Sequence, residues 1–230
     1  AVAMLISANP LIMQIDVMSG LHSEDIMDFW RPNYRITPLV DGKYSALKYL
    51  QLLSHTWQDY QSNEGRSFED FAQFCYHLPF SRMGKKAHMY LASINDQPVN
   101  MEKFMPGLVY NRVIGNCYSA ALYLGLISAL ENSEEDLSGK PVALFSYGSG
   151  AVAEFFSGVV QPGYKAHMLT ERHKSLIMDR EALSYERYLE LWHAPNPQNG
   201  EEIVNKAETQ GTFRLAKIAD HKRYYETVRS

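Results

Sequence analysis

The sequence predicts an α/β fold, and three observations carry that prediction. Short apolar runs of strand length alternate along the chain with segments whose apolar residues recur at helical spacing. The strand-like runs Val142 to Phe145 and Ala151 to Val160 enclose a tight glycine loop. Between them and the N-terminal third, a helix running to Leu130 is apolar nearly all round, as expected of an element buried between layers.

Taken in order, Ala1 to Ile6 reads as a short buried strand, with Leu11 to Ile15 pairing beside it across the Asn9-Pro10 turn. The chain opens inside that apolar run without an initiator methionine or the basic flank of a signal peptide, so a cut is expected here and not a natural start. His22 to Pro38, rich in aromatics, prolines and charges, is expected to be an irregular surface segment of the kind that lines sites. From Lys43 to Tyr60, Leu47, Leu50, Leu53, Trp57 and Tyr60 recur at helical spacing and mark one inward face. Ser67, with Asp70 three residues on, caps a short helix that leads into a strand over Phe74 to Phe80, ended by Pro79.

A helix over Met83 to Ala92 follows, and Gly115 to Ser119 precedes the apolar helix, whose Ala120, Ala121, Gly125 and Ser128 allow close packing. Beyond Pro162 the chain turns polar, with a helix expected over Ser184 to Trp192, a loop from His193 to Gly200, and two strands over Gly211 to Ile218 and His221 to Val228. There is no internal repeat.

Composition narrows the classes of function. The 230 residues hold 46% hydrophobic and 21% charged side chains, ordinary for a soluble globular protein. A formal charge of -4 provides no global basic field, so nucleic acid is not expected as a partner. The longest apolar stretch, Ala120 to Leu130, falls well short of the ~18 residues needed to cross a bilayer. Cys75 and Cys117 form no C-x-x-C pair, which fits a reducing, cytosolic compartment. The eight histidines are scattered, with none spaced three or four residues from another, so no metal site is expected.

The chemistry concentrates in a few segments. His77 closes the run Phe74-Cys75-Tyr76-His77-Leu78-Pro79-Phe80, and the next helix begins Arg82-Met83-Gly84-Lys85-Lys86. A fixed imidazole polarises a carbonyl, and lysines at the positive end of a helix attract phosphate, so the pair suits a ligand carrying both. A structural histidine ahead of a solvated basic helix has the same pattern. Tyr147-Gly148-Ser149-Gly150 lacks the G-x-S-x-G spacing of a nucleophile elbow. It reads as backbone N–H groups and a hydroxyl aimed at an acyl group, or as a purely structural turn. Asn116 either caps the following helix or contacts a ligand, while Cys117 has no evident partner base and Cys75 lies inside a strand.

Five motifs in order, Phe29-Trp30-Arg31-Pro32-Asn33-Tyr34, Val40-Asp41-Gly42-Lys43-Tyr44-Ser45, the His77 segment with Met83 to Lys86, Gly115-Asn116-Cys117-Tyr118-Ser119 and Phe145-Ser146-Tyr147-Gly148-Ser149-Gly150, resemble the 3-hydroxy-3-methylglutaryl-CoA (HMG-CoA) synthase family, most closely its bacterial mevalonate-pathway form. The resemblance implies a thiolase-like αβαβα layered fold, of which this chain is the C-terminal half with the last strands of the N-terminal half. Residues 1–17 would complete that missing half, and 18–230 would form the C-terminal half with surface insertions.

The implied activity is condensation of acetyl-CoA with acetoacetyl-CoA through a cysteine that is acetylated and a glutamate that removes a methyl proton. Those two groups belong to the N-terminal half of the family, and neither Cys75 nor Cys117 matches the nucleophile's motif. By motif position His77 would anchor and polarise acetoacetyl-CoA, while Asn116, Tyr118, Gly148 and Ser149 would bind substrate. Arg82, Lys85 and Lys86 would face the CoA phosphates, with Arg82 standing where lysine is common. The resemblance further implies no cofactor beyond the CoA thioester substrates, a cytoplasmic homodimer of the complete enzyme, and activity only with a complementary N-terminal chain or segment. Two rivals remain: a polyketide β-branching homologue whose acyl donor is a carrier protein, and a non-catalytic acyl-CoA-binding or scaffold subunit.

Overall fold

The structure, a computed structural model, describes residues 1–207 and 211–228. They divide into two compact units, Ala1–Asp179 and Arg180–Ser230. The first unit contains β1 (Met13–Ser23), β2 (Phe29–Trp30), β3 (Leu39–Val40), α1 (Gly42–Ser62), β4 (Gln73–Tyr76), α2 (Ser81–Ile94), α3 (Val109–Ile114), α4 (Ala120–Asn132), β5 (Pro141–Gly148), β6 (Val152–Val160) and α5 (Thr170–Met178). Four strands form one sheet in the order β1-β6-β5-β4, in which only the β4–β5 pair is parallel. The polypeptide between those two parallel strands contains α2, α3 and α4, the helical crossover that such a pair requires.

Helices cover both faces of the sheet, and the strand sequences show why. Along β5 and β4, Ala143, Phe145, Tyr147, Phe74 and Tyr76 point into a core shared with Tyr49, Leu52, Leu53, Trp57 and Tyr60 of α1. Their neighbours Val142, Leu144 and Cys75 point the other way, into a second core with Leu122, Leu126 and Leu130 of α4. A strand buried on both sides reads as a continuous apolar run, which is the pattern of Val142 to Phe145.

Local signals set the helix bounds. The Asp41 side chain caps α1 by accepting the Tyr44 N–H at 3.1 Å, and Ser67 with Asp70 forms a capping box on a single 3-10 turn. The buried face of α1 is Tyr49, Leu52, Leu53, Thr56, Trp57 and Tyr60, with Leu50 packed against the same core, so the expected face holds except at Leu47, which points outward. In α2 the inward residues are Met83, Gly84, Ala87, His88, Leu91 and Ala92. His88 joins the Tyr76 hydroxyl through Nδ1 at 3.0 Å and the Asn100 carbonyl through Nε2 at 2.9 Å, which ties α2 to β4.

Two expectations are corrected near the N-terminus. No strand forms over Ala1 to Ile6, where Leu5 and Ile6 are 95% and 85% exposed, because an apolar run makes a strand only where a ladder partner exists. The strand expected from Leu11 begins at Met13, and its partner is not the first segment but β6, with which it pairs antiparallel over both ends around a bulge between Ile15 and Ser19. Asp16 at that bulge accepts two hydrogen bonds from Arg66 and one from Ser157, and Arg66 in particular holds its carboxyl below the usual range. The segment from His22 to Pro38 is correspondingly less irregular than expected, with its start inside β1 and Phe29–Trp30 paired to Leu39–Val40. The strand expected over Phe74 to Phe80 stops at Tyr76, and α3 and α5 were not foreseen, one being a six-residue helix and the other mostly polar.

The second unit holds α6 (Tyr185–Trp192), capped by Ser184, and an antiparallel sheet of β7 (Ile203–Val204), β8 (Phe213–Ala219) and β9 (Lys222–Thr227) in chain order. Asp220 and His221, both at positive φ, make the two-residue turn between β8 and β9.

Gly20 marks the tightest approach between layers. A Cβ there would meet the Thr56 carbonyl oxygen at 2.0 Å and the Tyr60 nitrogen at 2.3 Å, both backbone atoms of α1. Gly20→Ala is therefore expected to force β1 off α1 and lower unfolding free energy by about 1–3 kcal/mol, read from urea midpoints. An unchanged midpoint would mean that β1 moves freely over α1.

Candidate active site

A cavity of about 590 Å³ opens in the first unit, beyond the carboxyl ends of the parallel strands β4 and β5. Its wall is drawn from the residue after β4, the end of β5, the start of α1, the turn into α2, the β2–β3 pair and the segment ahead of α4. Five residues singled out from the sequence line it together: His77, Asn116, Tyr118, Gly148 and Ser149.

His77 is only 9% exposed, and its backbone is fixed from both sides. Its N–H donates to the Phe145 carbonyl at 2.7 Å, extending the parallel ladder by one residue, and its carbonyl accepts the Tyr49 hydroxyl at 2.7 Å. The imidazole lies 6.3 Å from the Tyr147 ring and has no hydrogen bond to any described residue. Burial pushes its pKa down to about 4, so the ring is neutral at physiological pH and offers one N–H donor and one lone pair.

Opposite chemistry comes from the segment ahead of α4. Asn116 does not cap that helix; its side-chain oxygen accepts the Tyr118 N–H at 2.8 Å in a local turn. The amide NH2 of Asn116 is then the group left to donate to a ligand. Tyr118 is 67% exposed at φ 54, in the left-handed region that a tyrosine seldom adopts, and the Asn116 bond supports that conformation.

The main residue that sequence reasoning missed is Asp28. It is fully buried, and its carboxylate accepts from the Tyr147 hydroxyl at 2.7 Å, the Ser45 hydroxyl at 3.0 Å and the Gly150 N–H at 3.2 Å. Burial favours its neutral form, yet the donors Tyr147, Ser45, Ser149 and the Phe29 backbone outweigh it and hold the pKa below the usual value. One carboxylate thereby positions α1, β5 and the loop of Ser149. Gly150 takes φ 126 in that loop, a conformation open to glycine and strained for other residues. The only sequence signal for Asp28 was a carboxylate beside Phe29-Trp30, in a stretch expected to line a site.

Arg82, Lys85 and Lys86 are exposed on the first two turns of α2 and lie outside the cavity wall, although Phe80 and Met83 of the same turn belong to it. None of the three makes an ion pair among the described residues, and the first turn of α2 has neither an acidic residue nor a side-chain cap. The two cysteines also lie outside the wall. Burial raises the Cys75 thiol to about 12, which makes it inert as a nucleophile.

Comparison with known proteins is consistent along the chain. The family model described as "Hydroxymethylglutaryl-coenzyme A synthase C terminal" matches residues 13–103 and 90–227. The hydroxymethylglutaryl-CoA synthase of Enterococcus faecalis is 40% identical over 193 residues, covering 82% of this chain and 50% of that protein. The polyketide biosynthesis 3-hydroxy-3-methylglutaryl-ACP synthase PksG of Bacillus subtilis is 32% identical over 198 residues, covering 82% of this chain and 47% of that protein. A crystal structure of HMG-CoA synthase complexed with CoA superposes with a TM-score of 0.85 at 37% identity, over 96% of this chain and 58% of that one. The chain thus spans about half the length of the curated relatives it matches. It has the thiolase-like fold of these enzymes, and it belongs to the hydroxymethylglutaryl-CoA synthase family, within the part that the family's C-terminal model describes.

Proposed function

We propose that the chain is the C-terminal part of an acyltransferase that condenses acetyl-CoA with acetoacetyl-CoA, giving HMG-CoA and free CoA for isoprenoid synthesis. The carrying observation is a neutral, backbone-anchored His77 in one cavity with the Asn116 amide and the Gly148–Ser149 loop. A complementary segment supplies the cysteine that takes the acetyl group and the glutamate that removes its methyl proton. The resulting carbanion attacks the ketone of acetoacetyl-CoA, and water releases the product from the cysteine.

In that scheme His77 donates its N–H to the ketone oxygen, where negative charge grows as the new C–C bond forms. A neutral donor performs this without adding a buried cation. Asn116 donates to an acyl oxygen, Ser149 meets the thioester or intermediate oxygen through its backbone N–H, and Tyr118 and Gly148 complete the acyl pocket. Arg82, Lys85 and Lys86 at the open N-terminus of α2 neutralise the CoA phosphates. The thioesters themselves carry the activation, so no cofactor and no metal enters the reaction. The complete enzyme works as a cytoplasmic homodimer. A second reading, with the acetyl donor on a carrier protein, draws support from the 32% identity to the Bacillus enzyme over the same share of the chain; a preference for acetylated carrier protein over acetyl-CoA as donor would select it.

Three outcomes are expected of the complete assembly. His77→Ala should reduce use of acetoacetyl-CoA at least about 100-fold, within the range for losing one oxyanion donor, while acetylation by acetyl-CoA changes little. Equal loss in both half-reactions would contradict the role. Between pH 6.5 and about pH 4 the unfolded His77 binds a proton that the folded one refuses, so wild-type stability should fall as pH drops through this window. In His77→Gln that component should vanish; parallel pH curves from chemical denaturation would refute a buried neutral ring. Lys85→Glu with Lys86→Glu should raise KM for the CoA thioester about tenfold, or ~1.4 kcal/mol, and leave the pantetheine thioester unaffected. Equal effects on both substrates would remove these lysines from the phosphate site.

A further inference from the structure

Outside the cavity, three side chains from distant parts of the sequence converge. His22 lies near the end of β1, Glu24 just beyond it, and His55 in the middle of α1. His22 Nε2 is 3.3 Å from Glu24 Oε1 and 3.2 Å from His55 Nδ1, and His55 Nδ1 is 3.9 Å from the same Glu24 oxygen.

Hydrogen bonding alone satisfies this triangle poorly. His22 Nε2 has either one proton or one lone pair, yet it faces two partners, so a single proton would have to be shared between them. A cation instead takes a lone pair from all three atoms. Two ligand atoms on a tetrahedral zinc ion, with bonds of about 2.0–2.1 Å, stand about 3.3–3.4 Å apart. Two edges of the triangle, at 3.3 and 3.2 Å, are already close to that length, and a small rotation of the Glu24 or His55 side chain closes the third.

The geometry points to a metal site formed by His22, Glu24 and His55, suited to zinc or a similar first-row divalent ion, with water completing the tetrahedron. Among the described residues no fourth histidine, cysteine or carboxylate joins the group. Two imidazoles and one carboxylate favour such an ion over magnesium or calcium, which prefer all-oxygen shells. The Lys48 ammonium grips the other Glu24 oxygen and orients the carboxylate, the supporting role that outer-shell partners have at metal sites. All three ligands keep partial exposure, which leaves an entry path for the ion.

The site reaches the acyl loop through the backbone. The Glu24 N–H donates to the Ala151 carbonyl at 2.9 Å, the Ala151 N–H returns a bond to the Glu24 carbonyl, and the Ile26 N–H donates to the Gly150 carbonyl at 2.8 Å. A metal joining β1 to α1 therefore braces, from outside the cavity, the connection that carries Ser149. The inference is independent of which acyl donor the enzyme uses.

The test is titration of chelator-stripped protein with zinc against a chromophoric competitor, and with cobalt(II) followed by visible absorption. The expected result is one equivalent bound with micromolar or tighter affinity, tetrahedral cobalt bands, and a zinc-dependent rise in Tm. His55→Ala and Glu24→Gln should each weaken zinc at least about tenfold, the loss expected even for a supporting residue, and abolish the Tm rise. Metal-free Tm values of the variants check their folding, and His22→Gln replaces either variant that fails the check. Affinity unchanged by the substitutions, or binding no tighter than millimolar, would overturn the site and leave only scattered surface histidines.

Discussion

The buried carboxylate of Asp28 is the constraint on which the arrangement of the cavity depends. Moving an ion of this kind out of water costs several kcal/mol unless donors replace the lost hydration. Here the donors come from three places far apart in sequence: Ser45 at the start of α1, Tyr147 near the end of β5, and the Gly150 N–H in the loop beyond it. Each of those elements contributes cavity wall, so the need to satisfy one charge also sets the spacing of the wall. The backbone takes part as well, since the Asp28 carbonyl accepts the Asp41 N–H where the chain turns into α1.

The two-faced sheet provides the platform beneath. Phe145 and Tyr147 face α1 while Leu144 faces α4, so neither helix can shift without disturbing a strand that ends at the cavity. His77 gains its precision from the same source. Its N–H is the next rung of the β4–β5 ladder and its carbonyl is held by Tyr49 of α1, which leaves the ring as the free part of the residue. A residue whose backbone is fixed in this way has less conformational entropy left to lose when a ligand arrives. The same enclosure lowers its pKa and keeps it neutral.

Charge is divided between the cavity and its surroundings. The described wall combines a neutral imidazole, an amide and hydroxyls with apolar groups such as Phe29, Val40 and Met83, with the Asp28 carboxylate buried behind it, whereas the α2 cations, which have no ion pair among the described residues, stand outside it in water. That separation suits a ligand with an uncharged end and an anionic handle. It also keeps cations, which would perturb the His77 equilibrium, out of the cavity wall.

Local pattern was legible in the sequence alone: the helical period of α1, the Ser67–Asp70 cap, the helix over Ser184 to Trp192, the doubly buried run of β5, and the order of five motifs that placed the chain in its family. It also singled out as candidates His77, Asn116, Tyr118, Gly148 and Ser149, which the structure brings to one wall. Packing between distant segments settled that β1 starts at Met13 and pairs with β6, and that Asp28 and the His22–Glu24–His55 cluster exist as groups. The reason is separation: Asp28 meets Tyr147 across 119 residues and His22 meets His55 across 33. Periodicity and capping act within a few turns of chain, while a ladder partner or a converging triad is created only when distant segments are packed against one another.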